Sequence, residues 1–276
     1  MAALIVRVLE RERLVVLSCL LAVTGLAWLY LVADAARMGE MAGMSSAPAP
    51  DAAMTAPGGM APGEMSRASP VWAAGPFVMT FLMWSVMMVG MMLPSAAPAI
   101  LLFLGIARNR RGRAGPVPSA LAFTAGYIVL WVAFSALAAL LQTWLEQLRL
   151  LTPMLRSASA AMTGILLIGA GVYQWLPVKE ACLRQCRAPL QTFLFHWRSG
   201  AIGAFRMGAE HGLYCLGCCW ALMLLLFTAG VMNLLWVAMI AALVFVEKLL
   251  PMGHAFARGS GCLMVVVGLY WLVAAA

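Results

Sequence analysis

The sequence has 276 residues, of which 64% are hydrophobic and 10% are charged, and its formal net charge is +8 at pH 7. A soluble globular domain carries roughly 25% charged and 45–50% apolar residues. The composition therefore excludes a soluble domain, a coiled coil and a collagen-like chain, and it predicts an integral membrane protein. The positive charge does not imply a nucleic-acid partner, because Lys and Arg of membrane proteins concentrate in cytoplasmic loops beside anionic lipid.

The apolar segments of the chain are long enough to be membrane helices. A helix needs about 20 residues to cross a hydrocarbon core of roughly 30 Å. The predicted fold class is therefore all-α, a polytopic transmembrane helix bundle of about seven spans. The predicted spans are residues 14–33, 71–107, 117–141, 158–178, 201–229, 233–250 and 261–275.

Three regions follow from this division. Residues 1–33 are predicted to be an N-terminal membrane anchor, residues 34–70 an external flexible loop rich in Met, Ala, Pro and Gly, and residues 71–276 a six-span membrane bundle with the candidate metal-binding motifs. The small residues of Ala33-Asp34-Ala35 leave open that the first segment is a cleaved signal peptide.

The second predicted span is too long for one straight helix. Over residues 71–107 a straight helix would reach about 55 Å, nearly twice the thickness of the hydrocarbon core. Pro94 and Pro98 lie inside this segment, and a proline lacks the amide hydrogen and clashes with the carbonyl group one turn earlier. We therefore expect span two to be kinked or broken at Pro94.

The basic residues are divided unequally between the two sides of the predicted bundle. The positive-inside rule places the richer side in the cytoplasm, so that the N-terminus is cytoplasmic and the C-terminus external. The richer side carries Arg7, Arg11, Arg13, Arg108, Arg110, Arg111, Arg113, Lys179, Arg184, Arg187, Arg198, Arg206, Lys248 and Arg258, and the other side carries Arg37, Arg67, Arg149 and Arg156.

The most specific chemical motif lies in span five. On a helix His211, Cys215, Cys218 and Cys219 are three or four residues apart, so their side chains share one face near the middle of the bilayer. Thiolates are soft ligands that select Cu(I) or Zn(II) over Mg²⁺ or Ca²⁺. We predict a metal site here. The alternative is that the cysteines are small apolar residues that permit close helix packing.

Two further groups of sulfur atoms are candidate ligands. Span two carries Met87, Met88, Met91 and Met92, whose thioethers suit Cu(I), although Met also fills gaps in any apolar core. Between spans four and five, Cys182 and Cys186 are four residues apart and are predicted to form a separate cytoplasmic site. A cysteine pair in a reducing compartment is more often metal-binding or redox-active than structural.

Ionisable residues inside spans are costly and need a reason. Glu210 precedes His211 and is predicted to orient its imidazole or to relay protons. Glu247 is a second candidate for such a role. The alternative for Glu247 and Lys248 is that they pair with each other or extend to the membrane surface.

Taken together, these motifs resemble the bacterial family of predicted metal-binding integral membrane proteins, a domain of unknown function. The resemblance covers roughly residues 75–255 and implies a bacterial inner-membrane protein with a metal site of unspecified metal. It rests on Trp84, Met87-Met88, Met91-Met92-Leu93-Pro94, Tyr173, Lys179, Cys182-Leu183, Cys186-Arg187, Cys215-Leu216-Gly217-Cys218-Cys219-Trp220 and Glu247-Lys248.

The leading hypothesis is a membrane protein that binds a soft metal and transfers it across the inner membrane. Copper(I) is the expected cargo, with zinc or another soft metal as the alternative, and a metallochaperone or another membrane subunit is a candidate partner. Loop methionines outside, the Met and His-Cys groups at mid-depth, and Cys182 with Cys186 inside would form a ladder of soft ligands. We do not expect an enzyme.

Two alternatives from other classes stay open. One is a membrane thiol-disulfide oxidoreductase in which Cys215 and Cys218 exchange electrons with Cys182 and Cys186. The other is an assembly subunit that binds metal only to hold its helices together.

Overall fold

The structure is a computed structural model that describes residues 2–45, 74–110, 115–151, 157, 159–250 and 252–274. Within these ranges the regular structure is entirely helical, which confirms the all-α prediction. The helices are α1 Ala2–Ser45, α2 Ala74–Asn109, α3 Pro116–Gln147, α4 Ala160–Tyr173, α5 Pro177–Arg187, α6 Leu190–Phe195, α7 Gly200–Leu224, α8 Leu226–Ala229, α9 Leu234–Leu249 and α10 Gly253–Val273.

Fewer helices than predicted have the length of a membrane span. In the described part of the chain, five helical segments are long and apolar enough to cross a membrane, or six if α4 and α5 form one bent span. The predicted span 233–250 corresponds to α9, which is too short to be counted because it has 16 residues. At about 1.5 Å per residue, such a helix reaches only about 24 Å.

The two N-terminal helices differ from the prediction at their boundaries. α1 continues to Ser45, into the segment predicted as a loop, because residues 34–45 include many good helix formers and the first proline after them is Pro48. The rest of that predicted loop lies outside the described residues. α2 runs without interruption through Pro94 and Pro98, so the helix is not broken there, while the alternative of a kink at Pro94 stays a prediction.

Span four was predicted as one segment to residue 178, and this is also wrong. α4 ends at Tyr173, and the chain turns by 65° before α5 begins at Pro177. A proline is favoured at the first position of a helix and cannot continue the preceding one, which explains the bend. As a result α5 packs against α7 instead of forming a loop between two spans.

Glycines bring the helices close around α7. A side chain at Gly208 of α7 would overlap the backbone carbonyl of Phe123 on α3, and one at Gly126 of α3 would overlap that of Phe205 on α7. Small residues at such contacts let two helix backbones approach, as in membrane helix pairs. α7 therefore packs tightly on α3, with α5 and α9 also against it and α2 next to α3.

Candidate metal centre

The Cys215 side chain lies where α7 meets three neighbouring helices. Its Sγ is 3.0 Å from the Tyr127 hydroxyl of α3 and 2.7 Å from Lys248 Nζ of α9. Lys248 Nζ also lies 3.1 Å from the Ser95 hydroxyl and 3.9 Å from the Met92 Sδ of α2. Cys215 and Lys248 are only 1% and 6% exposed, so this contact is inside the bundle.

The other two cysteines of α7 stay beside Cys215. The Cys218 and Cys219 thiols each donate to the Cys215 carbonyl oxygen, at 3.1 and 2.9 Å, as their spacing on one helix allows. The Cys219 Sγ also lies 4.0 Å from the Met92 Sδ, which brings a thioether of α2 to the thiols. The predicted convergence of α2 and α7 is therefore present at Met92.

Cys186 of α5 belongs to the same group. Its side chain is buried in the same core and lies near Cys215 and Cys218. We call Met92, Cys186, Cys215, Cys218 and Cys219 the sulfur cluster.

Cys182 is the exposed neighbour of this cluster. It lies one turn before Cys186, is partly exposed, and faces Gly217 of α7. A Cβ atom at Gly217 would be 2.8 Å from the Cys182 Sγ, so the glycine leaves room for this sulfur. Cys182 and Cys186 are therefore not apart from the cysteines of α7, because the bend after α4 carries α5 back against α7. Their placement on the cytoplasmic side stays a prediction.

The methionines of α2 do not all reach the cluster. Met87, Met88 and Met91 are buried at 1%, 0% and 3% exposure and belong to the apolar core. Met88 lies one turn before Met92 on the same face of α2, whereas Met87 and Met91 lie on an adjacent row. Met92 is the methionine of this group that contacts both Cys219 and Lys248.

His211 lies one turn before Cys215 but has aromatic neighbours. The centroid of its ring is 5.9 Å from that of Phe123, 6.0 Å from that of Tyr127 and 6.4 Å from that of Phe193. We call these three rings the aromatic box. The predicted role of His211 as a metal ligand thus has support from its spacing but not from its contacts.

Glu210 and Glu247, the two carboxylates predicted to assist the metal site, both form ion pairs. Glu210 is partly exposed and forms an ion pair with Arg198 at 2.9 Å, so a guanidinium holds the group expected to orient His211. Glu247 is buried and accepts from Lys179 Nζ at 2.6 Å and from Gln174 Nε2 at 2.9 Å. Lys179 also donates to the Gln174 side chain. The buried pair of Lys179 and Glu247 thus joins α5 to α9.

Three residues that were not predicted as site residues also adjoin the sulfur cluster: Ser95, Tyr127 and Lys248. The available signal was the position of Lys248 in an apolar helix, since a charged residue at membrane depth requires a partner. Its partner is a cysteine two helices earlier in the chain order, which residue spacing does not reveal. Lys179 and Lys248 are buried, so they are not surface charges as the orientation argument assumed.

Among the residues that the structure describes, no three His, Cys, Asp or Glu side chains form a preformed metal site. Instead, the cation beside the Cys215 sulfur is the ammonium group of Lys248. The donor chemistry nevertheless fits a soft monovalent ion, because thiols and a thioether surround one buried point. Binding there requires Lys248 to move away from the Cys215 sulfur.

The comparison with known proteins agrees with this donor chemistry. The family model described as PpoB2, copper chaperone, matches residues 81–271. This match includes every residue of the sulfur cluster, together with Lys179, Glu247 and Lys248. Neither the curated proteins nor the solved structures contain a significant match to the chain.

Proposed function

Since the chain belongs to the PpoB2 copper chaperone family, we propose that it is a bacterial inner-membrane protein that binds Cu(I) at the sulfur cluster and transfers it across the membrane. The observation that carries the proposal is the approach of the Met92 thioether of α2 to the buried cysteines of α7, with its Sδ 4.0 Å from the Cys219 Sγ and with Cys186 of α5 nearby. Thiolates and thioethers bind Cu(I) in preference to hard cations.

Charge balance gives Lys248 a part in this function. Cu(I) held by two thiolates carries one negative charge, and a buried charge without a partner costs several kcal/mol. The ammonium group that contacts Cys215 in the structure is close enough to remain as the counter-ion after moving aside. Tyr127 and Ser95 offer hydroxyl groups beside the same sulfur and ammonium, and so position both partners.

Several contacts support the proposed orientation in the membrane. Arg108 at the end of α2 pairs with Glu12 of α1 at 3.1 Å, and Arg110 lies over the Trp197 ring at 5.5 Å. Arg258 of α10 pairs with Glu180 of α5 at 3.7 Å. Each contact joins a basic residue to a partner that the predicted spans place on the same side, and the positive-inside rule makes this the cytoplasmic side.

The test is a copper(I) titration of the purified protein against a chromogenic Cu(I) chelator, followed by copper flux into proteoliposomes. Cys215→Ser should lower the Cu(I) affinity by about 100-fold, the equivalent of about 2.7 kcal/mol, because a central thiolate is lost. Cys262→Ser is the matched control, since Cys262 is exposed on α10. Equal affinities of the wild type and Cys215→Ser would refute the site, and an absence of flux would refute transfer.

One observation also favours a thiol-disulfide oxidoreductase as a second candidate function. Cys186 lies near Cys215 and Cys218, and Cys182 faces Gly217 beside them, so the two cysteine pairs are neighbours, as disulfide exchange between them would require. Mass spectrometry of protein alkylated inside cells distinguishes the two functions. A disulfide between α5 and α7 in a large fraction of the molecules supports the oxidoreductase, whereas reduced thiols support copper binding.

A further inference from the structure

An open cavity of about 1000 Å³ lies beside the sulfur cluster, between α5, the start of α6, the middle of α7 and the adjoining ends of α9 and α10. Pockets of about 300–1,000 Å³ are typical of small-molecule sites. Its lining combines apolar side chains with basic and polar ones. The residues that give it its basic and polar character are Cys182, Arg184, Arg187, Gln191, Lys248 and His254.

The basic side chains of the cavity are available to an anionic ligand. Arg184 is exposed, and within the described residues it has no ion pair. Arg187 donates to the Leu250 carbonyl oxygen, which fixes the end of α5 to the end of α9 and leaves its charge unneutralised. Guanidinium groups bind carboxylates in bidentate geometry. The cavity therefore favours a ligand with more than one carboxylate.

The cavity also reaches the sulfur cluster. Cys182 lines its wall, and this thiol faces Gly217 in the middle of the cysteine motif of α7. Lys248 lines the cavity and contacts the Cys215 Sγ at 2.7 Å. A metal that leaves a ligand in the cavity therefore meets Cys182 first, then Cys186 and Cys215.

We propose that this cavity binds a small anionic thiol, of the glutathione class, that carries Cu(I) on the cytoplasmic side. That the ligand carries copper rests on the proposed function. That the ligand is anionic rests on the basic residues of the cavity. Arg184 and Arg187 bind the carboxylates, and the carrier sulfur lies towards Cys182.

The exchange of copper between carrier and protein is balanced without a redox partner. A bond forms between Cu(I) and the Cys182 sulfur while the bond between Cu(I) and the carrier sulfur breaks. The proton of the Cys182 thiol passes to the carrier thiolate, and copper stays monovalent. The same exchange runs in reverse, so the cavity serves loading and release equally.

The decisive test uses metal-free protein and S-methylglutathione, whose blocked sulfur leaves only recognition of the anionic body. Binding is measured by calorimetry in nanodiscs of neutral phosphatidylcholine. Arg184→Glu should weaken binding at least about tenfold, as the loss of a charge-assisted contact does. Arg206→Glu, an equally exposed change on α7 outside the cavity, should leave it unchanged. Undetectable binding, or equal effects of the two changes, would overturn the proposal.

A second arm separates the thiol from a lipid headgroup. In nanodiscs that contain phosphatidylglycerol, S-methylglutathione should still bind. If the anionic lipid displaces it fully and Arg184→Glu abolishes this competition, the cavity is a headgroup site and the proposal is wrong.

A third arm links the cavity to copper. Cu(I) presented as its glutathione complex should load the protein faster than Cu(I) presented by the cationic thiol cysteamine, and Arg184→Glu should remove the difference. Equal rates in the wild type would contradict the proposal. If the protein binds no Cu(I), the proposed function fails, while the metal-free titration still decides whether the cavity binds the anionic body.

Discussion

Cys215 and His211 are one turn apart on α7, and both are buried, yet their surroundings differ in kind. Cys215 is the middle of the sulfur cluster, with Lys248 and Tyr127 at hydrogen-bond distance. His211 lies in the aromatic box formed by Phe123, Tyr127 and Phe193. The difference shows that a shared helix face does not give two residues a shared function. The function of each residue depends on which helices pack against it.

The two regions also differ in how they depend on charge. The sulfur cluster is adjacent to three buried ionisable side chains, since Glu247 precedes Lys248 and pairs with Lys179. The aromatic box is held by the packing of rings. Changes to the polar partners, which include the Tyr127 hydroxyl, should therefore affect the cluster strongly, and changes to His211 and the phenylalanines of the box should not affect copper.

The largest effect is expected for the buried ion pair. Lys179→Met leaves the carboxylate of Glu247 buried without a cation, which costs about 3–5 kcal/mol of folding free energy. Thermal unfolding in detergent should show a strongly lowered midpoint. The double variant Lys179→Met with Glu247→Gln should recover most of the loss, because no charge then remains buried. A single variant as stable as the wild type would contradict the role given to this pair.

A smaller effect is expected within the methionines of α2. Met92→Leu removes the thioether that contacts Cys219 and should lower the Cu(I) affinity about tenfold, or about 1.4 kcal/mol. Leu has nearly the volume of Met, so the fold should be retained. Met87→Leu is the matched control, because Met87 is equally buried on the adjacent row of α2. Equal losses in both variants would indicate that the whole methionine group binds copper.

The smallest effect is expected in the aromatic box. His211→Phe keeps an aromatic ring among aromatic rings, so we expect the Cu(I) affinity in the same chelator competition to stay within about twofold of the wild type. A loss as large as that of Met92→Leu would place His211 among the ligands and would remove the distinction between the two regions.

Much of the fold was predictable, because apolar length and helix-forming residues determine where helices form. The all-helical class and the helices around residues 14–33, 117–141 and 201–229 agree with the structure. The bend between α4 and α5 was signalled by Pro177, but the sequence does not say that the chain after it packs back on α7. The short α9 shows the converse, since an apolar segment predicted as a span can form a helix without spanning length.

The candidate site was predictable only along each helix. Periodicity placed Cys215, Cys218 and Cys219 on one face, and the structure keeps them together. Periodicity does not predict that Met92, and not Met87, contacts the cysteines, because this depends on how α2 is rotated against α7. The contact of Lys248 with Cys215 joins residues far apart in the chain, and such a contact has no local signal in one sequence.

The most direct test of the sulfur cluster is X-ray absorption spectroscopy at the copper edge of protein loaded with one equivalent of Cu(I). Our account predicts a shell of sulfur atoms only, with the same spectrum in His211→Phe and a changed shell in Cys215→Ser. Scattering from an imidazole ring that disappears in His211→Phe would contradict it, since copper would then be held across the two regions.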